Sequence, residues 1–559
     1  MSKPFRQTHT IIDMTTPISK KFFLTTLAIF LLGRLLLMWF VPLAEPSEAR
    51  YAVMCKNMAQ SGNFLEPWFI FNGEFQCFEG KPALPFQMGG LSCLIFGSNP
   101  FATRVPAFLA MCLILWGVYS IVKKFRDVHV AYTAVLLTLC SLIFYLFGGV
   151  MMTDMILTAT IVFAIFSYIE FENQLAISNE QLAIDASASK TTAYCLLPTA
   201  YSILFFFWLG AGMAAKGPVA IVMAGLPIFF YVLINNRWKN LKYHSWILGP
   251  IAFLIPCLPW YVLMTMKNPD FPYYFFIEEN FQRFLHPGAA ARFGAARESC
   301  YGMAIIWFIL ANIPLFFSLP MFYRPRIKAF YNLTKGAKPH GREDEVMPPK
   351  KPVSTLPTSN QEPTLSGAKS IFADPLTGMA ALTVITIPGF WCLTSQSLLP
   401  YLIPTTPLLA ILLAVRFNDI GELSSPGRCL ATKIFVLVCA IGFTLGPAIV
   451  TVAVRDTHPN LNVDVYHKLQ KFKQEPEWKQ TPIYFMDQAP YSAEFYLKDQ
   501  FIVHGPESLE QSLERSSDCL LVVSVNHEYD FGKPIPRTFL FRSGAWKVYA
   551  PEGWQALKR

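Results

Sequence analysis

The amino-acid sequence predicts an all-α polytopic membrane bundle with a small α/β domain at its C-terminal end. Three observations lead there. Of the 559 residues, 53% are hydrophobic, 49 are Phe and only 15% are charged, against about 25% charged in an ordinary soluble domain. The apolar residues are gathered into runs such as Phe22–Val41, Ala131–Met151, Val219–Ile234, Trp246–Met264, Tyr301–Phe322 and Ile434–Val454. Several reach the roughly 18–20 residues that a helix needs to cross about 30 Å of hydrocarbon. After residue 454 the pattern changes to short β-type runs separated by helical ones.

The chain opens with a polar tail, residues 1–21. The first apolar run is too long for a cleaved signal and no small-x-small site follows it, so it reads as a retained first helix. Stretches interrupted by Gly or Pro, residues 83–97 and 99–122, add short helices and bring the expected total to about eleven to thirteen spans. Lys20 and Lys21, Lys123, Lys124 and Arg126, then Arg237, Lys239 and Lys242, and the basic start of the interruption at 325–372 fall in alternate loops. Basic loops stay cytoplasmic, so the N-terminus and 325–372 are expected inside and residues 455–559 outside. The net charge of +9 therefore reads as topology; no basic face with interleaved aromatics suggests a nucleic-acid partner.

The expected organisation is a cytoplasmic tail at 1–21, a membrane unit at 22–454 and a periplasmic α/β domain at 455–559. The membrane unit carries a first outer loop at 42–83 and a disordered linker at 325–372, rich in Pro, Ser and charge. "NQLAISNEQLAIDASASK" reads as an amphipathic surface helix. In the last domain, "TPIYFM", "QFIVHG", "CLLVVSV" and "RTFLFRSGAWKVYA" read as strands, and "SAEFYL" and "ESLEQSLERS" as helices.

The first outer loop is long for a link between spans, which favours function. Its aromatic and Pro residues suggest interfacial helices, and it holds Glu48, Arg50, Tyr51, Glu79 and Lys81. Other ionisable or polar groups stand at outer helix ends: Asp154 in "TDM", Lys216 in "AAKGPVA", Arg283 and His286 in "NFQRFLHPG", and Ser395, Ser397 and Tyr401 in "SQSLLPYLIP". A charge at membrane depth costs about 2.5–3.5 kcal/mol on insertion scales, so their convergence on one face marks a site. The cations suit a lipid phosphate, since Arg offers a bidentate fork and Lys a point charge. The acids can orient or deprotonate an acceptor. The twelve cysteines show no C-x-x-C and no zinc spacing. Most act as small hydrophobes; Cys55 and Cys77 share the outer loop and are the one pair placed to form a disulfide, with two free thiols the favoured reading. No resident cofactor and no metal ligands are expected, and a divalent ion is left open.

The stretch "PSEARYA…FEGKP", followed in order by "FGSNPFATRVPA", "TDM", "AAKGPVA", "PWYVLM", "NFQRFL" and "SLLPYLIPTTPLLAILLA", resembles the integral-membrane glycosyltransferases of GT-C type. The likeness is to the bacterial aminoarabinose (lipid A) transferases and, more distantly, the protein O-mannosyltransferases. The resemblance covers most of 20–450. It implies a polyprenyl-phosphate-linked sugar as donor, a lipid or glycolipid such as lipid A as acceptor, inversion at the sugar, and action at the outer face of a bacterial inner membrane. On that reading Glu48 and Asp154 are catalytic, and Arg50, Tyr51, Glu79, Lys81, Lys216, Arg283 and Tyr401 bind substrate. Four departures touch the site: Ser47 stands where the family's first acid falls, Gly80 is inserted between Glu79 and Lys81, Leu398 replaces a Lys, and Asn280 replaces a His. The alternatives are a protein O-mannosyltransferase-like enzyme, a catalytically impaired lipid-binding member, and a transporter. A transporter predicts matched halves with broken helices, and no inverted repeat is visible.

Overall fold

The computed structural model describes residues 18–71, 74–184, 191–283, 299–316, 372–419, 426–454, 464–486, 490–497, 501–503, 509–524, 535–544, 546–552 and 554. The expected linker lies outside the described residues as far as residue 371, and so does His286. The described part is a multi-pass helical bundle capped by a small α/β domain.

Among the described residues, seven helices are long and apolar enough to cross a membrane: Lys20–Phe40, Pro100–Phe125, Thr153–Gln181, Leu196–Lys216, Leu248–Lys267, Pro375–Cys392 and Cys429–Ala453. Shorter apolar helices, Leu84–Phe96, Val128–Leu139 and Val219–Ile234, fill the spaces between them. Local chemistry fixes the starts. Ser19 caps the first helix, α1 (Lys20–Phe40), by accepting from the Phe22 amide at 3.2 Å. Asn99 caps Pro100–Phe125 through the Ala102 amide at 2.9 Å, with Pro100 at the first turn, where its missing N–H costs nothing. Lys123 and Lys124 end that helix and complement its dipole.

The run Ala131–Met151, expected as one span, is two helices, Val128–Leu139 and Leu142–Phe147. The break lies at Ser141, whose hydroxyl donates to the Ala311 carbonyl at 2.9 Å. The expected surface helix after Asn173 is the continuation of the long helix Thr153–Ile184, whose membrane part is almost wholly buried at the centre of the bundle.

The loop at 42–83, expected on the outer side, folds into α2 (Ser47–Ser61) and an antiparallel hairpin of β1 (Trp68–Phe71) and β2 (Glu74–Cys77). The aromatic residues of "WFIF", read as interfacial helix, are strand instead. Cys55 and Cys77 are not joined by a disulfide. The Cys55 sulfur fills the space left by Gly89, where a Cβ would come within 2.3 Å of it.

The C-terminal unit holds a five-stranded sheet in the order β4-β3-β5-β7-β6, built from Ile483–Phe485 (β3), Phe501–Val503 (β4), Leu520–Ser524 (β5), Phe539–Ser543 (β6) and Trp546–Tyr549 (β7). β3 runs parallel to β4 and β5, while β7 is antiparallel to β5 and β6. These are the strands the sequence predicts. The unit seats on the outer loop through its helix Tyr491–Leu497. Lys56 Nζ donates to the Glu494 carbonyl at 2.7 Å, and Asn57 Nδ2 to the Glu494 carboxylate at 3.2 Å. The Ile70 amide donates to that same carboxylate at 3.2 Å, and the Ser492 amide to Glu45 at 2.6 Å. Four buried or half-buried polar contacts thus hold α2 and β1 under the domain, and each would be costly to leave unmade.

Candidate active site

The site gathers where the N-terminus of Thr153–Ile184 meets the C-terminus of Thr191–Lys216. Asp154 lies in the first turn of one helix and Lys216 in the last turn of the other, each where the helix dipole favours its charge. They form a buried ion pair at 2.6 Å. The Lys216 ammonium also lies over the Tyr401 ring, 4.4 Å from its centroid.

Opposite stands Lys81, from the loop after β2, with its ammonium 5.5 Å from the centroid of Tyr51. Among the described residues no carboxylate forms an ion pair with it. Burial works against the Lys81 charge, but Tyr51, Tyr401 and Asp154 together outweigh it, and its pKa lies above the ordinary lysine value. Burial would raise the Tyr51 phenol, yet Lys81 and Arg50 pull it below the ordinary tyrosine value. Tyr51 and Lys81 therefore stabilise each other's charged forms.

Arg283 follows a wide, π-type helix over Tyr273–Gln282, a geometry that often accompanies functional sites. Its guanidinium donates to Glu279, and its Nε donates to Gln396 Oε1 at 2.8 Å. Burial raises Glu279 above the ordinary carboxylate value against the opposing pull of Arg283, Lys81 and Arg50. Glu279 thus belongs to the same electrostatic cluster, although nothing in its sequence context singled it out.

The structure thus brings together Tyr51, Lys81, Asp154, Lys216, Arg283 and Tyr401. It treats three other expected site residues differently. Arg50 sits in an aromatic cage, 5.4–5.8 Å from the centroids of Tyr51, Phe69, Phe78 and Tyr491, at the junction with the C-terminal unit. Glu79 accepts from Asn268 Nδ2 at 2.6 Å and holds its loop to the end of Leu248–Lys267.

Glu48 requires a correction. It was expected as a catalytic carboxylate. Its partner is Arg104, buried like itself, with Nε 2.7 Å from one oxygen and Nη2 3.0 Å from the other. The Met151 and Ala44 amides donate to those oxygens at 3.1 and 2.8 Å. Arg104 also donates to the Met38, Val41 and Pro42 carbonyls. All five guanidinium N–H donors are used. With both oxygens so engaged, Glu48 is a buried brace that joins the end of α1 to the start of α2. Ser47, beside it, is half-buried at the first turn of α2.

The described residues contain no cluster of three His, Cys, Asp or Glu able to hold a metal ion. The cationic groups Lys81, Arg283 and Lys216, backed by phenols, fit an anionic headgroup held at the mouth of an apolar bundle.

A helical membrane bundle with its ionisable groups gathered under a long loop and an attached α/β domain has the GT-C glycosyltransferase architecture. ArnT from Cupriavidus metallidurans bound to undecaprenyl phosphate superposes with a TM-score of 0.68 at 15% identity, covering 96% of this chain and 100% of that one. The apo form gives 0.66 at 16% identity, with 96% and 98% covered. In sequence, the family model for dolichyl-phosphate-mannose-protein mannosyltransferase matches residues 81–179, which include Lys81 and Asp154. The undecaprenyl phosphate-alpha-4-amino-4-deoxy-L-arabinose arabinosyl transferase of Enterobacter sp. (strain 638) is 29% identical over 273 residues, 48% of this chain and 44% of the relative. The corresponding transferase 1 of Proteus mirabilis (strain HI4320) is 26% identical over 257 residues, 45% and 43%. The matched region spans less than half the length of these curated relatives. The chain thus has the GT-C fold and, over part of its length, is similar in sequence to the aminoarabinose transferases and to the protein mannosyltransferase family.

Proposed function

We propose that this chain is an inverting glycosyltransferase that moves a sugar from a polyprenyl-phosphate donor to a glycolipid such as lipid A at the outer face of a bacterial inner membrane. The observation that carries the reading is Lys81, an ammonium with no carboxylate pair among the described residues, held beside Tyr51 and facing Tyr401 and Asp154. A half-buried cation with no carboxylate partner among the described residues is suited to a ligand's anion. Arg283 adds a second cation and the apolar helices beside it suit a polyprenyl tail. The relatives named for undecaprenyl-phosphate-linked aminoarabinose support that donor class.

Purified protein in detergent or nanodiscs, offered undecaprenyl phosphate and then undecaprenyl-phosphate aminoarabinose with lipid A, tests the reading. The parent should bind the lipid phosphate and transfer the sugar. Lys81→Ala and Arg283→Ala should each lose about 1.5–3 kcal/mol of binding, a charge-assisted hydrogen bond's worth, or roughly ten- to hundred-fold in Kd. Equal binding by both variants and the parent would remove the phosphate assignment.

The same reading puts the N-terminus and residues 325–372 in the cytoplasm and residues 455–559 in the periplasm, on the distribution of Lys and Arg. Reporter fusions at 345 and 500 should then give opposite sides. A shared side would overturn the helix count and with it the argument for an outer site.

A further inference from the structure

Gln396 is 3% exposed, and its Nε2 has no hydrogen-bond partner among the described residues. Its other carboxamide atom, Oε1, accepts from Arg283 Nε at 2.8 Å. An arginine can only donate, so the amide is oriented by chemistry: the oxygen must face Arg283 and the NH₂ must face away. A buried amide donor left unmade costs free energy, and this one is held in place deliberately. Ser299 braces the segment on both sides of it. The Ser299 amide donates to the Ser395 carbonyl at 2.8 Å, and the Ser397 amide donates to Ser299 Oγ at 2.8 Å. The two hydroxyls of Ser299 and Ser397 are 3.0 Å apart. Gln396 therefore stands between two pinned residues, on the guanidinium that belongs to the candidate phosphate site.

We propose that Gln396 is a donor-binding residue whose Nε2–H donates to an oxygen of the polyprenyl-phosphate sugar, next to the oxygen taken by Arg283. This rests on the transferase reading above. The oxygen belongs either to the phosphate or to a sugar hydroxyl, and the two differ in what they need: undecaprenyl phosphate alone carries the first and only the sugar-loaded lipid carries the second. No acceptor meets this N–H among the described residues, so the contact is one that the ligand supplies. Gln396 is neutral, so the hydrogen bond it supplies selects for geometry and leaves the charge of the site unchanged.

A double-mutant cycle separates this from a role through Arg283. The binding of undecaprenyl phosphate and of undecaprenyl-phosphate aminoarabinose is measured for the parent, Gln396→Met, Arg283→Ala and the double variant, with thermal midpoints recorded alongside. Methionine keeps the length and apolar bulk of glutamine. Gln396→Met should weaken binding about three- to tenfold, as for a neutral hydrogen bond of about 0.5–1.5 kcal/mol, with the midpoint kept or raised because an unpaired buried donor has gone. The loss should persist in the Arg283→Ala background. A loss seen with both lipids assigns the phosphate oxygen, and a loss seen only with the sugar-loaded lipid assigns a hydroxyl. If Gln396→Met binds both lipids like the parent, or its effect vanishes once Arg283 is gone, Gln396 is only a brace and the inference is wrong. A parent that binds neither lipid overturns the transferase reading and this inference with it.

Discussion

Arg104→Ala should unfold at a markedly lower temperature than any substitution of the cations that line the site. Removing one partner of a buried ion pair costs about 3–5 kcal/mol, because the other charge is left in a low-dielectric interior. Here the loss is larger in scope, since Arg104 also closes the Met38, Val41 and Pro42 carbonyls at the end of α1. Glu48→Gln should fail for a related reason. Each Glu48 oxygen faces one Arg104 nitrogen and one backbone amide, and all four are donors. A glutamine would turn its NH₂ toward two of them, setting donor against donor. The double variant Glu48→Leu/Arg104→Met should recover part of the stability, as replacement of whole buried pairs by apolar residues often does. Thermal unfolding in detergent, monitored with activity per folded molecule, distinguishes brace from catalyst. A Glu48→Gln protein that keeps the parent's midpoint yet transfers no sugar would restore Glu48 to the chemistry.

That correction marks where the sequence stopped being informative. Composition and periodicity were enough for the bundle, because a membrane span announces itself in twenty consecutive residues. The C-terminal strands were legible for the same local reason. In the site, Asp154 and Lys216 were legible as charges out of place in apolar runs, and Lys81 and Arg283 as cations in a long loop and at a helix end. Pairing could not be read. Glu48 and Arg104 lie 56 positions apart, and Arg50, two residues from Glu48, is the nearer candidate in sequence but not in space. Arg104 stood in "FATRVPA" with no sign that it is almost wholly buried. Gln396 carries no charge and sits between two serines, so no hydropathy signal could raise it. The hairpin at 68–77 was missed because a short continuous apolar run such as "WFIF" cannot be assigned to helix or strand by periodicity alone.

With Glu48 withdrawn, Asp154 is the carboxylate on which transfer should depend. Asp154→Asn is expected to lower the turnover of undecaprenyl-phosphate aminoarabinose by roughly 10²–10⁴-fold with a hydroxyl acceptor, the usual worth of a positioned base, and by less with a phosphate acceptor that is already ionised. Asparagine can still accept from Lys216 through its carbonyl, so the helix ends should remain joined. Donor binding should hold or tighten, because a negative charge is removed from beside Lys81 and Lys216, where a phosphate would sit. A variant with normal turnover, or one whose loss lies wholly in donor affinity, would exclude Asp154 as the base. Ser47 completes the test. A serine hydroxyl is no base near neutral pH and can only share a hydrogen bond, so Ser47→Ala should change turnover little. Ser47→Asp puts a carboxylate at the first turn of α2, where the dipole favours it, and should preserve or raise the rate. The size of that gain also reports on the acceptor. A phosphate on a glycolipid is already ionised and needs no base, whereas a hydroxyl does; a large gain in Ser47→Asp would therefore point to a hydroxyl acceptor, and a small one to a phosphate.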